Sequence, residues 1–410
     1  MRVLWISQNL PYPPKTGVLQ RNYNLIRQAC SFADVHLVAI VKDDILPDFD
    51  EGIARRELGR LCASVRAVRL PVERSRIRFL GVVLMSLFTR LPFAVNWATA
   101  KELGGALSDA AATLSYDVVY VDTISMAGYR RLFDGTPAAL NHHNIESHLL
   151  ERRLSYERNP LKRFYFRQES TKLSRYEGET ALEFDTHLVV SSLDAERLRA
   201  IRPDVSTHVI ANGVDVEFFR PANRRPEPGH LVMVSGMNWF PNRDAVLFFI
   251  DAVWPALSAQ LPSARLTIVG ASPPPTVVAL AARDPRVHVT GFVDDVRPYM
   301  ERGQVYLCPM RDGGGTRVKV LDALAMGIPI VSTTMGIEGI PVEPERDVLV
   351  ADTPADFTRQ VVRLTQDEAL CARLSASGRT FVERHFSWTA VGRQLQSAFA
   401  EIAQSRRPNG

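Results

Sequence analysis

Residues 305–340 read VYLCPMRDGGGTRVKVLDALAMGIPIVSTTMGIEGI. Val305–Cys308 is a short apolar run suited to a buried strand. Gly313, Gly314 and Gly315 follow in a loop, and a helix starts near Thr316. Glycines at such a turn let the backbone approach a ligand closely, and helix-start N–H groups face an anion. Arg317 and Lys319 fall in the first helical turn, where cations oppose the helix dipole. Something negative would offset that cost, and a diphosphate is the economical choice. Asp322 lies one to two turns further on, placed to accept hydrogen bonds from a ribose. The plainer alternative is a glycine-rich turn with a solvated first helical turn. The spacing is neither a Walker A loop nor a dinucleotide fingerprint, because no G-x-x-x-x-G-K or G-x-G-x-x-G occurs.

Outward from this segment, strand-like and helix-like stretches alternate. Strands are expected at Leu231–Ser235, Arg265–Val269, Val287–Thr290, Val305–Cys308, Ile330–Ser332 and Val348–Val350. Helices are expected at Arg243–Leu257, Val318–Met326 and Ala355–Leu364. The first half repeats the pattern, with strands at Val3–Ile6, Val35–Val41, Val118–Val121, Ala138–Leu140 and His187–Val190, and helices at Gln20–Ala29 and Ala98–Leu114. Such alternation implies parallel sheets covered on both faces. FFRPANRRPEPGH, 218–230, has no apolar periodicity and serves as the linker. The expected division is 1–218, then 219–390, with 391–410 as a helix returning toward the first domain. Two doubly wound halves would leave a cleft outside the carboxyl ends of their strands.

Composition narrows the function classes. The chain has 410 residues, 46% hydrophobic and 23% charged, which suits two domains with full cores. Lys and Arg total 49 against 45 Asp and Glu, too balanced for a bulk nucleic-acid binder. The four cysteines form no C-x-x-C pair, against a disulfide framework or zinc ribbon and in keeping with a reducing compartment. No apolar run reaches the roughly 18 residues of a spanning helix, and the N-terminus reads as a first buried strand rather than a signal peptide. Two stretches are locally basic: 55–90, with nine Arg or Lys and two acids, and 151–175, with eight and three. FLGVVLMSLF, 79–88, lies inside the first. Either it is a core helix beside a solvated basic face, or the segments meet an anionic membrane surface.

In order along the chain, VIANGVDVEFFRP (209–221), ARLTIVG (264–270), VHVTGFVDDVRPYM (287–300), the 305–340 segment and FSW (386–388) resemble the GT-B glycosyltransferases of glycosyltransferase family 4. These are retaining enzymes, and the resemblance covers nearly the whole chain. It implies an α/β GT-B fold, with two doubly wound Rossmann-like domains and an interdomain cleft. It also implies a nucleotide-sugar donor held mostly by the second domain, with Gly313, Gly314, Gly315 and Thr316 at the diphosphate and donor sugar. Asp322 falls on the second glutamate of the family's E-x7-E pattern, which holds the ribose, and is one methylene shorter. The first glutamate falls on Gly314, so that carboxylate is missing. The family's Arg and Lys after the first strand of the second domain fall, within VSGMNWFPNR, on Met237 and Asn242. Arg317 and Lys319 are therefore expected to supply the missing diphosphate charge, because a buried diphosphate without cations is costly. Arg243 is a third candidate, and Glu338 is expected near the donor sugar or at a helix start.

In the first domain the resemblance places a close-approach glycine after strand one, here Gly17 of PYPPKTG. A cleft histidine near the donor sugar falls in NHHNIES (141–147), on His143 rather than His142, since neighbours on a strand face opposite ways. Glu146 is expected to orient a helix, touch the acceptor or act as an N3-like cap. Asn212 and Gly213 form a turn. DFD, 48–50, sits in an acidic loop, so no metal and no cofactor are expected. The implied chemistry is transfer with retention: preorganised donors stabilise the departing diphosphate, no dedicated base is demanded, and domain closure excludes water. The implied partners are a nucleotide-sugar donor and a glycan or lipid-linked acceptor of the cell envelope, with no nucleic acid. The implied location is the cytoplasm or the inner face of its membrane. A nucleotide-sugar 2-epimerase and a non-catalytic nucleotide-sugar-binding subunit are the alternatives.

Overall fold

The computed structural model describes residues 1–42, 49–71, 76–157, 159–221, 225–313 and 315–405. The chain forms two compact units, one of Met1–Ala211 with Val391–Gly410, the other of Asn212–Ala390.

The first unit holds β1 (Arg2–Ser7), β2 (Asp34–Val41), β3 (Ser64–Arg69), β4 (Val118–Val121), β5 (Ala138–His142), β6 (Thr186–Val189) and β7 (Thr207–Val209). They form one sheet in the order β3-β2-β1-β4-β5-β6-β7, and every pairing is parallel. Parallel strands covered on both faces must be apolar nearly throughout, and VVYV of β4 is buried at all four positions. Trp5 stacks on Tyr120 with centroids 3.7 Å apart. Phe399, from helix Trp388–Ser405, packs on both rings at 6.4 and 6.2 Å, so the end of the chain completes this core.

The second unit holds β8 (His230–Val234), β9 (Arg265–Val269), β10 (Val287–Val289), β11 (Val305–Cys308), β12 (Ile330–Ser332) and β13 (Leu349–Val350). Their order is β10-β9-β8-β11-β12-β13, again all parallel. In both sheets the strand order reverses once, between β1 and β4 and between β8 and β11. Loops leaving the carboxyl ends of these strands flank the crevice where doubly wound sheets bind ligands. The two doubly wound Rossmann-like sheets expected from the sequence are thus present.

Three local expectations need correction. The single helix expected at Ala98–Leu114 is two, Phe93–Ala98 and Lys101–Thr113. Tyr129 clamps the break: its hydroxyl donates to the Ala98 carbonyl at 2.9 Å and accepts from the Ala100 N–H at 3.0 Å. The helix expected at Arg243–Leu257 runs from Phe240 to Gln260 with a π turn at Phe249–Val253. Pro255 follows that turn, lacks an N–H and forces the widened register. The apolar run 79–88 lies in helix Arg76–Phe88, but not as a core helix. Its apolar stripe faces outward, with Ile77 83% and Phe88 89% exposed. Its inward contacts are mixed: Val82 packs on the core, Phe79 meets the Phe93 ring at 5.7 Å, and Ser86 Oγ donates to the Val82 carbonyl at 2.7 Å and accepts from Asn96 Nδ2 at 2.9 Å.

Candidate functional site

At the carboxyl edge of the second sheet, β11 runs into the glycine loop, and helix Val318–Ala325 leaves it. Gly313 (φ 122°) and Gly315 (φ 71°) adopt backbone that L side chains rarely accept. Gly314 lies outside the described residues. Arg317 is the N-cap residue and is buried. Its guanidinium donates to the carbonyls of Gly315, of Gly313 at 2.8 Å and of Met335 at 3.4 Å, with Glu338 Oε2 at 3.8 Å. Arg317 therefore shapes the loop from inside and keeps its charge beside the helix start. The neighbouring Thr316 Oγ1 is buried without a hydrogen-bond partner among the described residues. An unpaired buried hydroxyl at a helix start is costly unless a ligand completes it.

Lys319 is differently placed. Its Nζ donates to Asn242 Oδ1 at 2.6 Å, and Asn242 Nδ2 in turn donates to the Gly236 carbonyl at 3.0 Å. Asn242 stands in helix Phe240–Phe248, after β8, so the lysine crosses from the β11 side of the crevice to the β8 side. The ammonium thus rests on the position where the resemblance calls for a lysine. An ammonium has three donors, and Asn242 takes one. Burial, with the charge of Arg317, lowers the Lys319 pKa to about 8 although Cys308 raises it. One turn along, burial raises the Asp322 carboxyl to about 8. Met237 is buried in the core. Arg243 lies exposed near the Phe240 ring, 5.9 Å from its centroid. Glu338 follows a short 3-10 turn after β12, with Oε2 3.8 Å from the Arg317 guanidinium.

The loop after β12 presses on this edge at Gly336. A Cβ there would lie 2.3 Å from Ser332 Oγ and 2.7 Å from the Cys308 carbonyl oxygen. Gly336→Ala is expected to cost about 1–3 kcal/mol by overpacking, read as a lowered denaturation midpoint. An unchanged midpoint would show that the two loops are not held together there.

In the first unit, Asp122 directly follows β4 and is fully buried. Its carboxylate accepts from His143 Nε2 at 2.9 Å, Asn22 Nδ2 at 2.8 Å and the Gln8 N–H at 3.3 Å. Burial alone would raise its pKa, but His143 and these hydrogen bonds hold it below the usual carboxylate value. An ionised Asp122 holds a hydrogen on His143 Nε2, and Nδ1 is the ring nitrogen left for another partner. Sequence reasoning missed Asp122, whose only signal was a lone acid after a fully apolar strand. Behind it, buried Arg21 donates to the carbonyls of Ala211 at 2.9 Å and Ile210 at 2.8 Å and to Asn141 Oδ1 at 3.0 Å.

His142 turns the other way, 2.9 Å from His187 Nδ1, and burial holds both imidazoles well below their usual pKa. Glu146 is the first residue of helix Glu146–Tyr156 and is not its cap. Glu177 caps that helix instead, accepting from the Glu146 N–H at 2.9 Å, because its buried carboxylate reaches the open N–H groups from helix Pro160–Thr180. Gly17 opens helix Gly17–Ala29 and is exposed, with open space where a Cβ would stand. Gly213 packs against Trp388, whose ring a Cβ would meet at 2.5 Å. Of the DFD segment, Asp48 lies outside the described residues, and Asp50 caps helix Glu51–Gly59 by accepting from the Ile53 N–H at 2.8 Å.

The structure therefore gathers Gly313, Gly315, Thr316, Arg317, Lys319, Asp322 and Glu338 on one sheet edge, and His143 on the equivalent edge of the first sheet. Residues 228–367 match the family described as Glycosyl transferases group 1. The chain is 28% identical over 152 residues to the GDP-mannose-dependent monoacylated alpha-(1-6)-phosphatidylinositol monomannoside mannosyltransferase of Corynebacterium glutamicum. That match spans 34% of this chain and 40% of the relative's length. In structure the chain is similar to sucrose-phosphate synthase from Thermosynechococcus elongatus, with TM-score 0.72 and 16% identity, over 99% of this chain and 100% of that one. It is also similar to HepE from Anabaena, solved in complex with UDP, with TM-score 0.64 and 13% identity over 98% and 100% of the two chains. Residues 228–367 are thus similar to the glycosyl transferases group 1 family, in a chain whose two Rossmann-like units have the GT-B fold.

Proposed function

We propose that the protein moves a sugar, with retention at the anomeric carbon, from a nucleotide sugar to a glycan or lipid-linked acceptor of the cell envelope. The observation that carries this is the Lys319 ammonium on Asn242, beside a glycine loop and an unpartnered Thr316 hydroxyl. In the reaction the bond from the anomeric carbon to the diphosphate oxygen breaks and negative charge grows on the diphosphate. Lys319 and the Thr316 hydroxyl are preorganised to meet that charge. Arg317 positions the loop. The acceptor oxygen bonds to the anomeric carbon on the face being vacated, and its proton passes to the departing diphosphate oxygen. Asp322 takes ribose hydroxyls, and His143 Nδ1 accepts from a hydroxyl of the donor sugar.

The mannosyltransferase relative is named for GDP-mannose and HepE was solved with UDP, so both bases belong in the assay. Incubation of the full chain with nucleotide sugars and envelope lipid extract, followed by mass spectrometry, tests the reading. A glycosylated product with released nucleoside diphosphate supports it. An isomerised sugar with no glycoside would replace it with epimerisation, and binding without turnover would replace it with a binding subunit.

Donor affinity is also expected to depend on pH. With both groups near 8 in the free protein, raising the pH from about 7 to about 9 neutralises Lys319 and ionises Asp322. Both changes disfavour a diphosphate, so the dissociation constant should rise roughly tenfold or more. Calorimetric titration at the two pH values checks this. Constant affinity across the range would remove Lys319 from the diphosphate.

A further inference from the structure

We propose that the outward faces of helices Arg76–Phe88 and Pro160–Thr180 form one surface that lies in the interfacial layer of an anionic lipid bilayer. Ile77, Leu80, Leu84 and Phe88 are exposed at helical spacing, so they form a single stripe on the side away from buried Ser86. A soluble surface helix keeps its outward face polar. The second helix continues the stripe with Leu161, 80% exposed, and Phe164, 69% exposed. The two helices are joined directly. Gln168 Nε2 donates to the Leu87 carbonyl at 2.9 Å, Lys172 Nζ to the Ser86 carbonyl, and Arg175 to the Arg90 carbonyl at 2.9 Å. Leu161, Phe164 and Gln168 share one helix face, so the bond from Gln168 brings the two apolar stripes to one side.

Charge identifies the occupant. No Asp or Glu occurs in 76–88 or in 160–168. Arg90, Lys162, Arg163 and Arg167 stand exposed around the apolar residues. Glu169, the first acid beyond, is buried and accepts from the Phe93 N–H at 2.7 Å. Glu157 and Glu102 are the acids nearest this surface, and cations outnumber them around it. Exposed Phe, Leu and Ile bordered mostly by cations are complementary to acyl chains beneath anionic headgroups. No described helix is long and apolar enough to cross a membrane, so the surface lies on the bilayer. This inference extends the reading of a lipid-linked acceptor and rests on it for the source of the bilayer. Its readout needs no turnover, so either proposal can fail alone.

The test is co-sedimentation of the full chain with vesicles of phosphatidylcholine, or of phosphatidylcholine mixed with phosphatidylglycerol. The expected result is binding to the mixed vesicles that weakens as salt is raised. Combining Phe88→Ser with Phe164→Ser should reduce it about tenfold or more, because two large apolar side chains no longer enter the lipid layer. Lys162→Glu with Arg167→Glu should lower binding to the mixed vesicles only. All four side chains are exposed, so the denaturation midpoint should stay put and report folding. Equal binding by the two-Phe variant, or no binding to the mixed vesicles, would overturn the proposal. So would a concentration-dependent dimer in light scattering that the two-Phe variant abolishes, since the occupant would then be a second copy.

Discussion

Lys319→Ala is expected to weaken nucleoside-diphosphate binding by about 10- to 100-fold while leaving the protein as stable as before or slightly more so. A charge-assisted hydrogen bond to an anion is worth about 1.5–3 kcal/mol, which is that range in affinity. The stability sign is opposite to that of a structural residue. Burial already works against this ammonium, as its lowered pKa shows, so removing it relieves desolvation in the empty protein. Asn242 supplies the internal control. Its Oδ1 holds the lysine at 2.6 Å from the other side of the crevice. Asn242→Lys added to Lys319→Ala places an ammonium at the same point from the opposite element, and most of the affinity should return. If Lys319→Ala lowered the midpoint and left nucleotide affinity intact, the lysine would be a strut. If the double variant failed to recover while remaining folded, the ammonium would act through something other than its position. Arg317→Ala should differ from both. Its donors hold the carbonyls of Gly313, Gly315 and Met335, so stability and affinity should fall together.

The second large effect belongs to the first unit. Asp122→Ala removes the acceptor of His143, Asn22 and Gln8 from a fully buried position. Breaking a buried charged network from one side costs about 3–5 kcal/mol, enough to lower the denaturation midpoint by several degrees. His143→Ala should separate cleanly from it. The ring is at the border of the network, so the stability cost is small, but the directed Nδ1 acceptor is lost. Transfer should fall by about 10- to 100-fold, the value of one well-placed hydrogen bond of about 1.5–3 kcal/mol. Binding of the nucleoside diphosphate alone should not change, because the contact proposed for the histidine is with the sugar. Asp122→Asn keeps the packing and removes the charge that orients the ring, so it should lower the turnover number more than it raises KM. A His143→Ala protein with undiminished transfer would make the pair purely structural.

The legible part of the molecule was the part written in neighbouring residues. Val305–Cys308 announces β11 with the same ends in sequence and structure. The triplet, Arg317 and Lys319 announce the loop and helix start, because turn chemistry and helix polarity are local. Strand β3 was hidden. Its SVRAVR points Arg66 and Arg69 toward Asp109 and Glu51, so it reads as part of a basic stretch. Asp122 was hidden because its partners lie 21 and 100 residues away in sequence. The partnership of Lys319 and Asn242 spans 77 residues and could be sensed only as two departures in one expected pattern. The orientation of helix Arg76–Phe88 was left open for the same reason. An apolar run does not say which side is inside, and here the Ser86–Asn96 hydrogen bond decides it.

A thermal-shift panel of nucleoside diphosphates and their sugars, run on the full chain and on Lys319→Ala, tests the donor site most directly. A ligand at about 100 times its dissociation constant stabilises a protein by about 2.7 kcal/mol, which moves a unit of this size by roughly 5–10 °C. The expected result is a shift of that order with one nucleotide sugar, largely lost in Lys319→Ala. No shift with any member of the panel, or the same shift in the variant, would contradict a nucleotide-sugar site built around Lys319.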